Sequence, residues 1–173
     1  KSEHDESAQS ILITDDDLFA KEVSNNIKSI IKTSNRSDII KKSINRNGLI
    51  IIIKDLKKSY DLINKIAPEH LSLMFKDAQK IEENITNAGV IFMGKWTPEA
   101  MGDYIMGPSH VLPTNGASKN SSGLSVYNFI KKISSIKNSQ KTINILGPSA
   151  RIIAECEGLD AHAKSIQVRL NGK

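Results

Sequence analysis

The sequence has a single cysteine among its 173 residues, Cys156, so no disulfide can form within the chain. A lone cysteine suits a reducing compartment. The sequence also lacks a run of about 18 apolar residues, the length that a membrane-spanning helix needs, and it has no signal-peptide pattern. We therefore expect a soluble, cytoplasmic protein with no membrane partner.

Aromatic residues are scarce, at 5% of the chain, which leaves few side chains on which nucleic-acid bases could stack. The net charge of +5 would suit an anionic partner. However, the lysines are scattered among Asn, Ser and Ile rather than gathered in one stripe. Nucleic acid is therefore not expected as a partner.

Residues 10–93 alternate short apolar runs with segments in which apolar residues recur at helical spacing. The apolar runs predict four strands, at Ser10–Thr14, Leu49–Ile53, Leu71–Phe75 and Val90–Met93. Helices are predicted between them, at 18–32, 56–66 and 77–85, and a short one opens at Ile39-Ile40. This alternation predicts an α/β fold with parallel strands. The unbroken apolar run at Leu49–Ile53 also predicts a strand covered on both faces.

The pattern changes after Leu124, which predicts a domain boundary there. The tail has predicted helices at Leu124–Ile133 and Thr142–Cys156, the second of which passes through Gly147-Pro148. Ser165–Leu170 alternates apolar and polar residues, which predicts a short strand. We thus expect an α/β domain over residues 1–124 and a small, mainly helical C-terminal module over residues 125–173.

A long, mostly irregular stretch, Thr97–Gly123, is rich in Gly, Pro, Ser and Asn and carries Asp103, Tyr104 and His110. Loops of this length inside a compact domain are uncommon and are usually functional or disordered. Disorder fits poorly, because the stretch has apolar side chains to pack with and no run of like charge. Two interpretations stay open. The stretch is either a packed Ω-type loop, with Asp103 as a cap and His110 bonded to a carbonyl, or a loop that carries a functional site.

The residues of this stretch resemble the substrate loop of the histidinol dehydrogenase family. The resemblance is carried by GDYIMGPSHVLPTNG at 102–116 and SSGLSVYNF at 121–129. Further landmarks follow the family's order along the chain: Glu3-His4-Asp5 with Ala8-Gln9, Ala67-Pro68-Glu69-His70-Leu71, Asn87-Ala88-Gly89, Thr97-Pro98-Glu99 and Glu157-Gly158-Leu159-Asp160-Ala161-His162. Such a series across nearly the whole chain is far more specific than a single motif.

The resemblance assigns catalytic roles to the adjacent pair Glu69 and His70. His70 would accept the protons released in an oxidation, and Glu69 would activate the water that attacks an aldehyde intermediate. His110 and Glu157 would contact the substrate across a dimer interface. The residues alone allow a plainer interpretation, in which Glu69 is solvated and His70 caps the preceding helix.

A second set, His4, Asp103 and His162, matches family positions that bind zinc and, through it, the substrate. Two imidazoles and a carboxylate form a ligand set that suits zinc with positions left open. The three residues are far apart in sequence, so no spacing rule supports them independently. The family adds a glutamine ligand three residues before the first histidine. Here that position is Lys1, and a protonated lysine only donates hydrogen bonds.

The reaction that the resemblance implies is oxidation of L-histidinol to L-histidine through the aldehyde, with two hydride transfers to NAD and zinc holding the substrate. The fold would be part of a Rossmann-like layered sheet, and the tail module would pack on the partner subunit of a homodimer with shared active sites. No Gly-x-Gly-x-x-Gly turn is present, and no residue can be assigned to NAD.

The family's first half has no counterpart in these residues, so we expect the chain to be inactive on its own. Two alternatives stay open. One is a non-catalytic fragment that keeps the fold and perhaps zinc without turnover. The other is a metal-binding or interaction module unrelated to histidinol, which predicts that Glu69 and His70 lie far from Asp103.

Overall fold

The computed structural model describes residues 1–170. It divides the chain into two compact units, one spanning Lys1–Phe129 and the other beginning at Ile130. The division falls a few residues beyond the boundary predicted at Leu124. That the second unit is a domain that packs on a dimer partner stays a prediction.

The first unit opens with a parallel strand pair joined by two helices. Strand β1 (Ser10–Thr14) leads through α1 (Asp17–Thr33) and α2 (Ser37–Asn47) to β2 (Gly48–Ile52), in register from Ser10 opposite Gly48. The Asp16 carboxylate starts α1 by accepting hydrogen bonds from the N–H groups of Leu18 and Phe19, at 2.8 and 3.0 Å. The predicted strands and helices of this segment are confirmed.

The prediction that the second strand is covered on both faces is wrong. Leu49 and Ile52 are 50% and 51% exposed. In the described part of the chain this sheet has only two strands, and α1 and α2 are the helices packed against it. An apolar run predicts that a strand can be buried, but burial itself requires a second layer.

A second parallel pair follows, and it carries the residues of the candidate site. A 3₁₀ turn (Leu56–Lys58) and α3 (Tyr60–Ile66) precede β3 (His70–Leu73); α4 (Ala78–Glu82) then leads to β4 (Val90–Met93). The strands pair with His70 opposite Val90. Ile63, Leu73, Ile81 and Phe92 form the core around this pair. The parallel α/β class is confirmed, although the strands form two separate two-stranded sheets.

Asn64, in the middle of α3, holds the loop that precedes β4. Its side-chain oxygen accepts hydrogen bonds from the N–H groups of Thr86 and Asn87, at 2.9 and 3.2 Å. Its amide group donates to the carbonyl of Asn84 at 2.9 Å, and the Asn87 amide donates back to the Asn64 carbonyl at 2.9 Å. One side chain thereby fixes where β4 begins.

Replacing Asn64 with alanine is expected to lower the free energy of unfolding by about 1–2 kcal/mol, since several loop groups lose their partner. Urea denaturation would measure the loss. Asn26→Ala is the matched control, because Asn26 is an exposed residue of α1 and alanine raises helix propensity equally at both positions. Equal effects of the two substitutions would contradict this role of Asn64.

The second unit consists mainly of two helices, α6 (Gln140–Cys156) and α7 (Asp160–Leu170). The predicted helix through Gly147-Pro148 is confirmed as α6. The strand predicted at Ser165–Leu170 is wrong, because Ala163, Ile166 and Leu170 are the more buried residues there and their spacing is helical. No helix within residues 1–170 has the length and apolarity to cross a membrane.

The segment between β4 and α6 differs from its prediction in two ways. A helix, α5 (Glu99–Tyr104), lies inside the stretch expected to be mostly irregular. The helix predicted at Leu124–Ile133 is wrong, since only a 3₁₀ turn at Val126–Phe129 forms there. Another 3₁₀ turn lies at Ala117–Lys119.

Candidate active site

The chain enters the site through a sharp turn at Ala67. Its φ of 52° ends α3 in the left-handed region, and its N–H donates to the Ile63 carbonyl at 2.8 Å. The buried Ser118 hydroxyl donates to the Ala67 carbonyl at 2.9 Å. A residue with a Cβ pays about 1–2 kcal/mol for this conformation, so the surrounding hydrogen bonds hold the turn that aims Glu69 and His70 into the site.

Gly89 fixes the backbone of Glu69 from the neighbouring strand. Its N–H donates to the Pro68 carbonyl at 2.9 Å, and the Val90 N–H donates to the Glu69 carbonyl at 3.0 Å. A Cβ at position 89 would lie 2.5 Å from the Glu69 carbonyl oxygen, so this close approach requires glycine.

His70 is the buried centre of the site, with only 5% of its side chain exposed. Its ring stacks on Phe92, with centroids 5.9 Å apart and planes at 6°. Nδ1 lies 3.4 Å from Glu69 Oε1, while Nε2 lies 3.5 Å from Asp103 Oδ1 and 3.8 Å from Glu99 Oε1. Within residues 1–170 neither ring nitrogen has a hydrogen-bond partner.

Helix α5 brings the two other carboxylates to His70. Glu99 and Asp103 are four residues apart and therefore lie on one face of the helix. The Thr97 hydroxyl ties the start of α5 to the end of β4 by donating to the Met93 carbonyl at 2.7 Å. Sequence reasoning assigned no role to Glu99. Pro98 followed by an acidic residue, with a second acid four positions later, is a helix-start signal that could have found it.

Gly102 allows α5 to pack close to the ring that supports His70. A Cβ at position 102 would lie 2.4 Å from Phe92 Cε1. Replacing Gly102 with alanine should therefore lower the melting temperature, by overpacking worth about 1–3 kcal/mol. Helix propensity alone predicts the opposite sign, a stabilisation of about 1 kcal/mol. A raised melting temperature would show that this contact does not determine how α5 is placed.

Lys1 lies beside Glu69. Its ammonium donates to Glu69 Oε1 at 2.9 Å, and its carbonyl accepts the His4 N–H at 2.8 Å, which closes a turn. His4 is exposed on this turn. The next residue, Asp5, accepts bonds from the Ser7 hydroxyl and the Ser7 N–H, which hold the pKa of that carboxyl below its usual value.

His110 lies in the same unit and is exposed. An open cleft of about 560 Å³ runs beside it, lined by its neighbours Ser109 and Leu112 and by Gly89 and Val90. The lining does not include His70. The cleft and the buried histidine are therefore separate features of this unit.

Glu157 and His162 belong to the second unit and are exposed where α6 connects to α7. Gly158, between them, has a φ of 71° that permits the tight connection. The His162 N–H donates to the Leu159 carbonyl at 3.0 Å in the first turn of α7. Both tail residues are thus presented at one end of the helix pair.

The structure therefore brings Glu69, His70 and Asp103 together. His70, Glu99 and Asp103, which we call the His70 cluster, each offer one ligand atom within 4.8 Å of the others. In the described residues no other His, Cys, Asp or Glu group of three is this close, so neither His4 nor His162 joins one. The alternative that separates Glu69 and His70 from Asp103 is wrong.

Comparison with known proteins identifies the family. The family model described as histidinol dehydrogenase matches residues 1–170. The chain belongs to the histidinol dehydrogenase family. It is 45% identical over 172 residues to histidinol dehydrogenase 1 of Trichormus variabilis, covering 99% of this chain and 40% of that protein. It is also 45% identical over 170 residues to the Pseudomonas putida histidinol dehydrogenase, covering 98% and 38% of the two proteins.

A solved structure shares the fold. The crystal structure of histidinol dehydrogenase from Elizabethkingia anophelis matches with a TM-score of 0.91 and 34% identity, over 99% of this chain and 39% of that one. The chain thus spans about two fifths of the histidinol dehydrogenases it matches. The motifs that resembled the family fall within the matched residues.

Proposed function

We propose that this chain supplies the C-terminal part of an enzyme of histidine biosynthesis that oxidises L-histidinol to L-histidine, through the aldehyde, with two successive hydride transfers to NAD. Family membership supports the reaction class. The observation that carries the proposal is the packing of Glu69, His70 and Asp103 into one site. A Rossmann-like arrangement of the complete enzyme and a cytoplasmic location are part of the same proposal.

In this proposal His70 accepts a proton at Nε2 from the substrate hydroxyl in the first oxidation, and from the hydrated aldehyde in the second. A histidine suits this task because it gains and loses protons near neutral pH. The Phe92 ring and the burial of His70 limit how far the imidazole can turn. Glu69, beside Nδ1, orients the water that adds to the aldehyde.

Asp103 would hold zinc together with His4 and His162, and one nitrogen-rich site of this kind leaves room for a substrate. When bound, zinc would hold the imidazole and the amine of histidinol, and NAD would accept the hydrides. The ligand types fit zinc, although Lys1 at the family's glutamine position donates to Glu69 instead. His110 and Glu157 would contact the substrate.

We further propose a homodimer in which each tail completes the site of the other subunit. Apolar side chains of the second unit support this: Ile145, Leu146 and Ile153 are about 60% exposed, at 64%, 59% and 61%. In an isologous dimer each subunit would lend the same surface to its partner.

The test is a chimera in which residues 1–173 replace the matched segment of the Trichormus variabilis histidinol dehydrogenase, referred to below as the chimera. It should form two NADH for each L-histidinol consumed, whereas the 173-residue chain alone should form none. A folded, dimeric chimera that forms no NADH would contradict the proposal.

The Lys1–Glu69 ion pair favours a second candidate, a fragment that keeps the fold without turnover, because it occupies the carboxylate that should orient water. If this pair impairs the site, replacing Lys1 with glutamine should raise kcat of the chimera about 10-fold, within the range of one catalytic interaction. Lys54→Gln, an exposed position outside the site, is the control. An unchanged kcat in both variants would show that Lys1 does not restrain Glu69.

A further inference from the structure

The His70 cluster combines one buried imidazole with two carboxylates from one helix face. The imidazole is 95% buried, and both its nitrogens lack a hydrogen-bond partner within residues 1–170. Nε2 points at Glu99 and Asp103. A buried polar atom left in this state is costly unless something occupies the space between the groups.

The spacing of the atoms indicates what that occupant is. Charge-assisted hydrogen bonds from nitrogen to a carboxylate are about 2.7–2.9 Å long, and the distances from Nε2 to Asp103 and Glu99 are 3.5 and 3.8 Å. Two ligands of a tetrahedral zinc ion, each about 2.0–2.2 Å from the metal, lie roughly 3.4 Å apart. The separations therefore fit atoms that share a cation better than atoms that share a proton.

The other side of the ring supports the same conclusion. Glu69 Oε1 lies 3.4 Å from Nδ1 and accepts from Lys1 at 2.9 Å. A carboxylate at the far nitrogen is the usual partner of a metal-binding histidine, because it favours the tautomer with the Nε2 lone pair free. That lone pair then faces two carboxylates, an arrangement that is repulsive unless positive charge lies between them.

We propose that His70 Nε2, Glu99 and Asp103 bind one divalent cation of the zinc class. One nitrogen and two carboxylate oxygens suit zinc and leave a fourth position for water. This site shares Asp103 with the zinc site proposed above but uses His70 and Glu99 instead of His4 and His162. The cation would take the lone pair that the proposed base needs, so, resting on the proposed function for this consequence, it belongs to a resting state rather than to turnover.

The experiment is calorimetric titration of the 173-residue chain with Zn²⁺, with Co²⁺ absorption as a second measure of the ligand set. We expect one bound Zn²⁺ per chain. Glu99→Gln should weaken binding about 10-fold or more, by removing a ligand without changing the size of the side chain. Glu82→Gln, an exposed position at the end of α4, should leave binding unchanged. Circular dichroism would show that each variant is folded.

Two further variants separate the two zinc sites. His70→Asn should weaken binding as Glu99→Gln does, while His4→Asn and His162→Asn should not. Zinc binding that is absent from the unsubstituted chain, or unaffected by Glu99→Gln, overturns the proposal. If His70→Asn does not fold, Glu99→Gln alone decides the outcome. Failure of the proposed function would appear separately, as a chimera that makes no NADH.

Discussion

Replacing His70 with asparagine in the chimera is expected to lower kcat by about 10²- to 10⁴-fold, the contribution of a general base, with little change in KM. The imidazole is the group placed between Glu69 and Asp103, and asparagine cannot accept a proton at neutral pH. Steady-state rates of NADH formation would give both constants. An equal loss in kcat and kcat/KM indicates an interaction made in the transition state.

The control for this prediction is His110→Asn. His110 is exposed, so its loss removes no core packing, and a substrate-contacting role predicts a raised KM rather than a lowered kcat. A melting temperature for His70→Asn close to that of the chimera would exclude unfolding as the cause. If His70→Asn retained most of kcat, His70 would not be the base.

The sequence predicted elements well where local chemistry decides them. Asp16 before the Leu18 periodicity marks the start of α1, and the apolar run at Val90–Met93 is β4. Helix α5 was missed because six residues between Pro98 and Gly107 are too few to show a helical period. The tail strand was wrong because alternation over Ser165–Leu170 is too short to exclude a helix that buries Ala163.

The candidate site was predictable only in part. The resemblance assigned Glu69, His70 and Asp103, and the structure places these three together. Glu99 could not be assigned without α5, because its contact with His70 depends on how that helix lies across Phe92. The roles of His4 and His162 stay predictions, since a zinc site shared between subunits depends on assembly rather than on one chain's local pattern.

Mixing two inactive variants of the chimera is expected to restore activity. One variant carries His70→Asn in the first unit, and the other carries His162→Asn in the second. If each active site combines the first unit of one subunit with the tail of the other, a heterodimer has one site with both lesions and one with neither. Random re-pairing makes half of the dimers heterodimers, so about a quarter of the unsubstituted activity should return.

The control pairs His70→Asn with Glu69→Gln. Both of these lesions lie in the first unit, so every site in their heterodimer contains one damaged residue and the mixture should stay inactive. Differently tagged subunits, purified through both tags after co-expression, would isolate the heterodimers for assay. Recovery in the first mixture but not in the second requires His162 to act on the partner's site. If the purified heterodimer of His70→Asn and His162→Asn is inactive, each site takes both residues from one chain, and the tail then folds back onto its own subunit.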